Sequence, residues 1–327
     1  MIEITKIMSD RVQICRAIAI IAVVVIHNCS TIEYSGIAVR CFVNFAVALF
    51  IFLSGYLTKS VDNNIKIFYK KRLLRVFIPY CIWSVMYTIA FNKWDGFIFY
   101  FLTGQCCGIY YFIIVYIQLT ILVPWISKLI QSKYWKLGFF VTPISIIIEY
   151  IYILTGNSII FPFNGLFFVI WFIFFYLGMC IRNNKIKILI NMEKCIFLFI
   201  IVYMIQVIET FLWYYGGYAI ATSQIKLSVV LYSIVISIMS YLWIIKKDTS
   251  IICFNKISKF FIIVGNYSFG IYLTHIALMA ILNKTVYKFI DINLPFNVVL
   301  IILIEVIGIS LMVKFCGKKV CKYLGLI

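Results

Sequence analysis

The sequence predicts an all-α integral membrane protein, a bundle of about ten transmembrane helices with both termini in the cytoplasm. Three observations predict it: an extremely apolar composition, ten apolar stretches of spanning length, and basic residues concentrated in alternate connections. The 327 residues are 65% hydrophobic and only 12% charged, with a mean hydropathy of +1.07, whereas soluble domains are about 45–50% apolar. The composition therefore excludes a soluble globular protein.

Ten stretches are long and apolar enough to cross the hydrocarbon core, which takes about 20 helical residues. Backbone exposed to lipid must satisfy its own hydrogen bonds, so each span is predicted to be helical. No connection is long enough to fold alone, so residues 1–327 are predicted to form a single polytopic domain with no fused soluble domain. The predicted spans cover residues 12–29, 39–58, 73–91, 109–130, 136–154, 163–181, 194–215, 225–245, 262–282 and 294–315.

The first span has the outline of a signal peptide, because Lys6 and Arg11 precede an apolar stretch from Ala17 to Ile26. A signal peptide ends at a small-residue cleavage site. No such site follows this stretch, so the sequence predicts a retained first helix.

The basic residues predict which way the bundle faces. When alternate connections are assigned to opposite sides, one side collects all but five of the 29 Lys and Arg residues. Such an excess marks the cytoplasmic side, and a miscounted helix in mid-chain would scramble the alternation. Both termini are therefore predicted to be cytoplasmic, in the plasma or inner membrane of the cell. The five residues of the other side are Arg40, Lys93, Lys226, Lys284 and Lys288.

The distribution of charge and cysteine argues against a nucleic-acid partner, a disulfide framework and a metal site. The formal charge of +18 belongs to the connections between spans, so it predicts contact with membrane lipid and no nucleic-acid partner. The 11 cysteines lie mostly inside apolar stretches, without a CxxC pair or a Cys/His cluster. They are predicted to be small buried residues, with neither a disulfide framework nor a metal site.

Ionisable residues inside the spans are candidates for function, because burying them in lipid is costly. Arg16 and His27 are eleven residues apart, which places them on one helix face about 16 Å apart along the axis. His275 lies at a similar depth in the ninth span, so the only two histidines of the chain are placed to face one cavity, although each is equally compatible with a packing role. Three acidic residues are expected to face inward and to be paired or protonated: Glu149, Glu209 and Glu305.

Three further groups of residues are candidates for binding. Arg72 and Arg75 share a helix face at the start of the third span and suit bidentate phosphate binding, or they anchor lipid headgroups. Ser54 and Gly55 permit close approach of a ligand or of another helix. Tyr272 lies one turn before His275, where the two are placed to line a polar channel.

Four segments, in order along the chain, resemble motifs of the membrane-bound acyltransferase 3 family. RAIAIIAVVVIH from Arg16 to His27 is similar to its Arg-x10-His motif, and LFIFLSGY at 49–56 to its FF-x-x-SG-[FY] segment. RLLR from Arg72 to Arg75, followed by a proline, is similar to its R-x-x-R motif. SFGIYLTH from Ser268 to His275 is similar to its SYG-x-YL-x-H segment, with phenylalanine replacing the first tyrosine.

The resemblance implies an O-acyltransferase that moves an acyl group, expected to be acetyl, from cytoplasmic acyl-CoA to a cell-surface glycan or lipid-linked sugar. Acetyl-CoA or another acyl-CoA would be a cosubstrate, with no bound cofactor. Arg16, Arg72 and Arg75 would then contact its phosphates, and His27 would be the catalytic base or would itself carry the acyl group. Ser54, Gly55, Tyr272 and His275 are pocket candidates, and Asn28, Tyr272 and His275 are candidates for the oxyanion stabiliser.

Two other classes fit the helices equally well. A transporter or flippase for a sugar-linked or lipid-linked substrate would also place polar residues inside the bundle. A membrane sensor or assembly partner would show no turnover and would tolerate changes at His27. The transporter class does not explain why the arginine, histidine and tyrosine segments occur together.

Overall fold

The structure, a computed structural model, describes residues 5–59, 65–157, 159, 162–246, 256–289 and 293–327. Within these ranges the fold is helical and contains no strand. Lys247, one of the basic residues counted above, lies outside them. The α-helices are α1 Lys6–Asn28, α2 Tyr34–Val43, α3 Ala46–Tyr56, α4 Ile65–Phe91, α5 Phe97–Thr103, α6 Tyr111–Ile121, α7 Val123–Gln131, α8 Val141–Leu154, α9 Phe163–Leu166, α10 Phe168–Arg182, α11 Met192–Tyr215, α12 Leu227–Ile245, α13 Lys256–Asn266, α14 Ser268–Lys284 and α15 Leu294–Tyr323.

Among the described residues, eight helical stretches are long and apolar enough to cross a membrane, and α6 with α7 makes a ninth if the bent pair is one span. These nine correspond to the second to tenth predicted spans. The first predicted span corresponds to α1, whose 23 residues extend about 34 Å. The chain is therefore a helical multi-pass membrane protein, while the number ten and the direction of the termini remain predictions.

Several of the predicted spans are interrupted. The span predicted at 39–58 is two helices, α2 and α3, separated at Asn44 and Phe45. The span predicted at 109–130 bends by 52° between α6 and α7, where Pro124 occupies the first turn of α7. Proline lacks the N–H that a continuous helix requires. A hydropathy average does not register such breaks, because the residues on both sides are apolar.

The ninth predicted span is also divided. α13 ends at Asn266 and α14 begins at Ser268, with Tyr267 between them. The break separates the close contact of α13 with α1 from the segment of α14 that carries Tyr272 and His275. It falls within the run that begins with Gly265 and Asn266, two residue types that favour turns.

Helix α1 lies at the centre of the described fold, packed against α2, α3, α12, α13, α14 and α15. The Thr5 hydroxyl caps its first turn by accepting a hydrogen bond from the Met8 amide at 3.3 Å. Buried Arg11 donates to the Trp243 carbonyl at 2.9 Å, at the C-terminal end of α12, where a cation complements the helix dipole. These contacts fix where α1 stands against its neighbours.

Two glycines let helices approach to backbone contact. A Cβ at Gly55 would lie 2.1 Å from the Phe175 carbonyl oxygen, where α3 crosses α10. A Cβ at Gly265 would lie 1.9 Å from the Gln13 carbonyl oxygen, where α13 meets α1. Small residues at such crossings permit the dense packing that holds membrane helices together. Any larger residue would separate the helix pairs.

The segment after α15 folds back into the bundle. The Trp83 indole N–H donates to the Leu324 carbonyl at 2.9 Å. Gly325 then adopts φ +72°, a conformation that side chains disfavour, and a Cβ there would lie 2.7 Å from Pro79 Cβ. The turn directs residues 325–327 towards α4 and α14.

Candidate active site

A cavity of about 510 Å³ lies between α1, α3, α4, α6, α14 and the segment after α15. Arg16 comes from α1, while Lys71, Arg72 and Arg75 come from the first turns of α4. The remaining wall is mainly apolar and aromatic, with residues that include Val23, Val47, Phe50, Phe112 and Tyr116. We call this space the arginine cavity. The structure thus brings together three arginines that are separated by up to 59 positions in the chain.

The arginine cavity concentrates positive charge. Arg72 and Arg75 both lie close enough to Arg16 to repel it electrostatically. No Asp or Glu side chain is among the described residues that line the cavity. Clustered guanidinium groups without a carboxylate partner favour a ligand that carries several negative charges, and their planar forks match phosphate oxygens.

Hydrogen bonds hold Arg72 in place, whereas Arg16 and Arg75 have none with described residues. Its guanidinium donates to the Thr58 hydroxyl at 2.7 Å and to the Leu57 carbonyl at 2.8 Å, at the C-terminal end of α3. Carbonyls at a helix end lack partners within the helix, so this contact also caps α3. Arg16 and Arg75 form no hydrogen bond with any described residue, which leaves their donors available to a ligand.

The two small residues of α3 lie on different surfaces. Ser54 lines the arginine cavity, and its hydroxyl donates to the Phe50 carbonyl at 2.8 Å. Gly55 instead lies at the crossing with α10, against Phe175. Successive residues of a helix point about 100° apart, so only one of the pair faces the cavity.

His27 and His275 form a second group, which we call the histidine pair. Their ring centroids are 5.5 Å apart, with the ring planes inclined by 45°. His275 is buried, and its Nδ1 lies 2.8 Å from the Ile271 carbonyl oxygen and 3.1 Å from that of Tyr272. Its Nε2 has no hydrogen-bond partner among the described residues. His27 is exposed, in the last turn of α1.

The arginine cavity ends next to the histidine pair. Tyr272 lines the cavity, and its ring centroid is 6.4 Å from that of His275. Val23 also lines the cavity and precedes His27 by one helical turn. Neither histidine belongs to the cavity wall, so Val23 and Tyr272 mark the boundary between the two groups.

Tyrosine hydroxyls hold this part of α14 in place. Tyr87 and Tyr110 donate to the Leu273 carbonyl at 3.1 and 2.9 Å. The Tyr272 hydroxyl donates to the Ile109 carbonyl. Three buried hydrogen bonds, two accepted by Leu273 and one donated by Tyr272, restrict the motion of this turn of α14 and of His275 within it.

A family model described as an acyltransferase domain, that of the acyltransferase 3 family, matches residues 10–314. The matched region includes the arginines of the cavity and both histidines. The chain belongs to the acyltransferase 3 family. Together with its candidate spans, this makes the protein a membrane acyltransferase. No curated protein and no solved structure gives a significant match.

The structure adds cavity residues of this acyltransferase that sequence reasoning missed. Tyr116 and Asn266 line the cavity; Asn266 belongs to the run that ends at His275, whereas Tyr116 lies in an apolar helix without a distinguishing signal. Gly325 and Ile327 also line it, although the family match ends at residue 314. Their role depends on the fold of the last turn, which hydropathy does not report.

Arg40 is a second addition, beside the histidine pair. Its guanidinium donates to the Ile26 carbonyl at 2.7 Å, at the end of α1, and it lies within electrostatic reach of His27. The available signal was its position on the side of the membrane predicted to be poor in basic residues. An isolated arginine there is less easily explained by topology than one in a cytoplasmic cluster.

The acidic residues differ in their surroundings. Glu209 accepts hydrogen bonds from the Tyr150 hydroxyl and from the Ser228 amide, the latter at 3.1 Å. Glu305 accepts one from the Thr274 hydroxyl at 2.7 Å. Buried Glu149 has an oxygen, Oε2, without a partner among the described residues. None of the three lines the arginine cavity.

The cysteines described by the structure are all free. Over the same part of the chain, no group of three or more His, Cys, Asp or Glu residues is arranged to hold a metal ion.

Proposed function

We propose that this membrane acyltransferase transfers an acyl group, expected to be acetyl, from cytoplasmic acyl-CoA to a hydroxyl of a cell-surface glycan or lipid-linked sugar. The observation that carries the proposal is the arginine cavity, which joins three clustered arginines to an apolar wall that ends beside two histidines. Charge at one end and a reactive group beyond the other match a donor with phosphates at one end and a thioester at the other.

The donor lies along α1. Arg16, Arg72 and Arg75 bind its phosphates, and Lys71 adds a further positive charge at the same wall. The pantetheine arm follows the apolar wall past Val23 towards His27, over the roughly 16 Å that eleven helical residues span. The fixed geometry of α1 thereby sets the distance between phosphate binding and chemistry.

His27 acts as the general base. It takes the proton from the acceptor hydroxyl while the hydroxyl oxygen attacks the thioester carbonyl. The tetrahedral intermediate then expels the CoA thiolate, which receives the proton from the His27 imidazolium and leaves as free thiol. The same residues also suit a two-step route, in which His27 first accepts the acyl group and the hydroxyl then attacks the acyl-histidine.

The candidates for the oxyanion stabiliser have most of their donors in use. The Asn28 side-chain amide donates to the Val24 carbonyl at 2.7 Å, and the Tyr272 hydroxyl and His275 Nδ1 also contact carbonyls. Arg40 is the cationic side chain that lies within electrostatic reach of His27. Its charge would favour the negative oxygen that develops in the transition state.

The test is the release of free CoA thiol from acetyl-CoA by the detergent-purified protein, with and without a membrane glycan extract. We expect release that the extract stimulates and that His27→Ala abolishes. The same assay on an acyltransferase of proven activity shows that the conditions support turnover. Absence of release beside an active control would reject acyl-CoA-dependent transfer, and substrate flux measured in liposomes would then test for a transporter.

A further inference from the structure

The hydrogen bonds of His275 define which of its nitrogens carries the proton. Nδ1 lies 2.8 Å from the Ile271 carbonyl oxygen and 3.1 Å from the Tyr272 carbonyl oxygen. Carbonyl oxygens only accept, so Nδ1 must be the N–H of the ring. In the neutral imidazole the remaining nitrogen, Nε2, then carries a lone pair. Residues of its own helix thus fix the tautomer of His275.

That lone pair is buried and unused. His275 is fully buried, and its Nε2 has no partner among the described residues. Leaving such an acceptor unsatisfied costs about 1–3 kcal/mol. Buried polar groups without a partner are uncommon and call for a physical explanation. A donor that forms the missing hydrogen bond during function would supply one.

His27 is placed to be that donor. Its ring centroid is 5.5 Å from that of His275. A ring nitrogen lies about 1.1 Å from its centroid, so two nitrogens that face each other at this separation would be about 3.3 Å apart, at the long end of hydrogen-bond distances. His27 is exposed in the last turn of α1, and rotation about its side-chain bonds would bring a ring nitrogen into this arrangement.

We infer that His275 is a positioning residue for His27: its Nε2 accepts the N–H of the His27 ring and so fixes the tautomer of His27. The other nitrogen of His27 then carries the lone pair, facing the reacting groups. This inference about the role of His275 rests on the proposed function, whereas the hydrogen bond between the rings does not depend on it.

The same hydrogen bond serves the reaction. When His27 takes the proton of the acceptor hydroxyl, both of its nitrogens carry hydrogen, and one of them already donates to His275. The imidazolium is thereby stabilised until its other N–H returns the proton to the departing thiolate. His275 gains and loses no proton in this cycle. A fixed tautomer is equally required if His27 attacks as a nucleophile, because the attacking nitrogen must carry the lone pair.

Nitrogen NMR tests the pairing directly, because the chain contains only two histidines. The protein is purified through a histidine-free tag and labelled with ¹⁵N in its imidazole rings, so its spectrum holds four ring nitrogens. We expect one tautomer for each ring at neutral pH, and a coupling across the hydrogen bond from the His27 N–H to His275 Nε2. Mixed tautomers of His27 in the wild type, or no such coupling, would overturn the inference.

Two variants of His275 separate positioning from packing. His275→Leu removes the acceptor, so His27 should show both tautomers and turnover should fall about 10- to 100-fold, as when other orienting partners of histidine are removed. The KM for acyl-CoA should change less than about twofold. His275→Gln, whose amide oxygen reaches the place of Nε2, should restore the single tautomer and part of the turnover.

Leu282→Ala is the matched control. Leu282 is a buried residue of α14, two turns beyond His275, so its truncation disturbs packing of the same helix without touching the histidine pair. We expect a lower melting temperature with an unchanged His27 tautomer. A tautomer change equal to that of His275→Leu would assign the effect to packing instead. An intact coupling in a protein that releases no CoA would reject the proposed reaction but keep the pairing.

Discussion

The arginine cavity and the histidine pair lie along one helix, yet they differ in almost every physical respect. The cavity holds several mutually repelling cations, two of which form no hydrogen bond with a described residue. The pair consists of two rings in contact, one of them buried and fixed by carbonyls of its own helix. A surplus of charge suits binding an anion, whereas a fixed lone pair suits moving a proton. The arginine cavity would therefore govern the affinity for the donor and the histidine pair the chemical step, so each can be altered by mutation without the other.

The largest effect is expected from His27→Ala. If the histidine pair serves chemistry alone, turnover falls by about 10²- to 10⁴-fold, the usual contribution of a general acid–base group. The affinity for acyl-CoA, measured by calorimetry, stays within about twofold. Ile18→Ala, an exposed position on the same helix, is the control and should change neither quantity. A parallel loss of affinity in His27→Ala would break the division between the two regions.

Arg75→Ala should have the next largest effect, and it should change the KM rather than turnover. Loss of a charge-assisted hydrogen bond to phosphate costs about 1.5–3 kcal/mol, so the KM for acyl-CoA should rise about 10- to 100-fold. The turnover at saturation should change little. Lys70→Ala removes the same charge from an exposed neighbour that does not line the cavity, and steady-state kinetics of both variants makes the comparison. Equal rises in KM in the two variants would show that the overall positive charge of the region, and not the cavity arginine, binds the donor.

Gly265→Ala tests whether the arginine cavity depends on how closely α13 approaches α1. The added methyl would lie 1.9 Å from the Gln13 carbonyl oxygen, and overpacking typically costs about 1–3 kcal/mol. We expect a lower melting temperature in detergent and a higher KM for acyl-CoA. Gly308→Ala is the control, because a Cβ there has no described atom within 4 Å. That variant should be as stable as the wild type or slightly more stable, since alanine favours helix.

The smallest effect is expected from Asn297→Ala. Asn297 donates to the Asn28 side-chain oxygen at 2.8 Å, next to His27, and accepts from the Tyr287 hydroxyl. The substitution removes both hydrogen bonds, and only the one to Asn28, worth about 1 kcal/mol, lies next to His27, so turnover should fall about fivefold without a change in KM. Asn293→Ala removes an exposed asparagine whose side chain does not cap α15. A higher KM in Asn297→Ala would show that the donor also depends on contacts next to the histidine pair for its binding.

The sequence predicted the helical fold well because lipid imposes a single strong requirement, which composition and length reveal. Each predicted span from the second to the tenth corresponds to a candidate span in the structure, and the fourth corresponds to the bent pair α6–α7. The breaks at Asn44 and Tyr267 were not predicted. They depend on packing between helices, and an average over apolar residues contains no term for that.

The candidate site was predicted in its parts but not in its arrangement. Arg16 and His27 follow from helical geometry within one segment. Arg72 follows from a basic cluster at the start of a span, and Tyr272 and His275 follow from polar residues one turn apart inside an apolar span. The contact between the two histidine rings, the position of Arg40 beside them, and the presence of Ile327 in the cavity wall depend on contacts between segments far apart in the chain. A single sequence holds no direct record of those contacts.

An uninterrupted α1 has a consequence for the choice of donor. Because α1 is one continuous helix that carries the phosphate-binding Arg16 and, eleven residues later, the reactive His27, it fixes the distance that a donor must span between its phosphates and its acyl group. A small activated acyl phosphate would satisfy the arginines but fall short of His27, because its carbonyl is attached directly to its phosphate. Acyl-CoAs of different chain lengths would all present their thioester at the same point along α1, beside His27. The fixed distance along α1 would therefore select the carrier part of the donor, and the space beyond His27 would select the acyl chain.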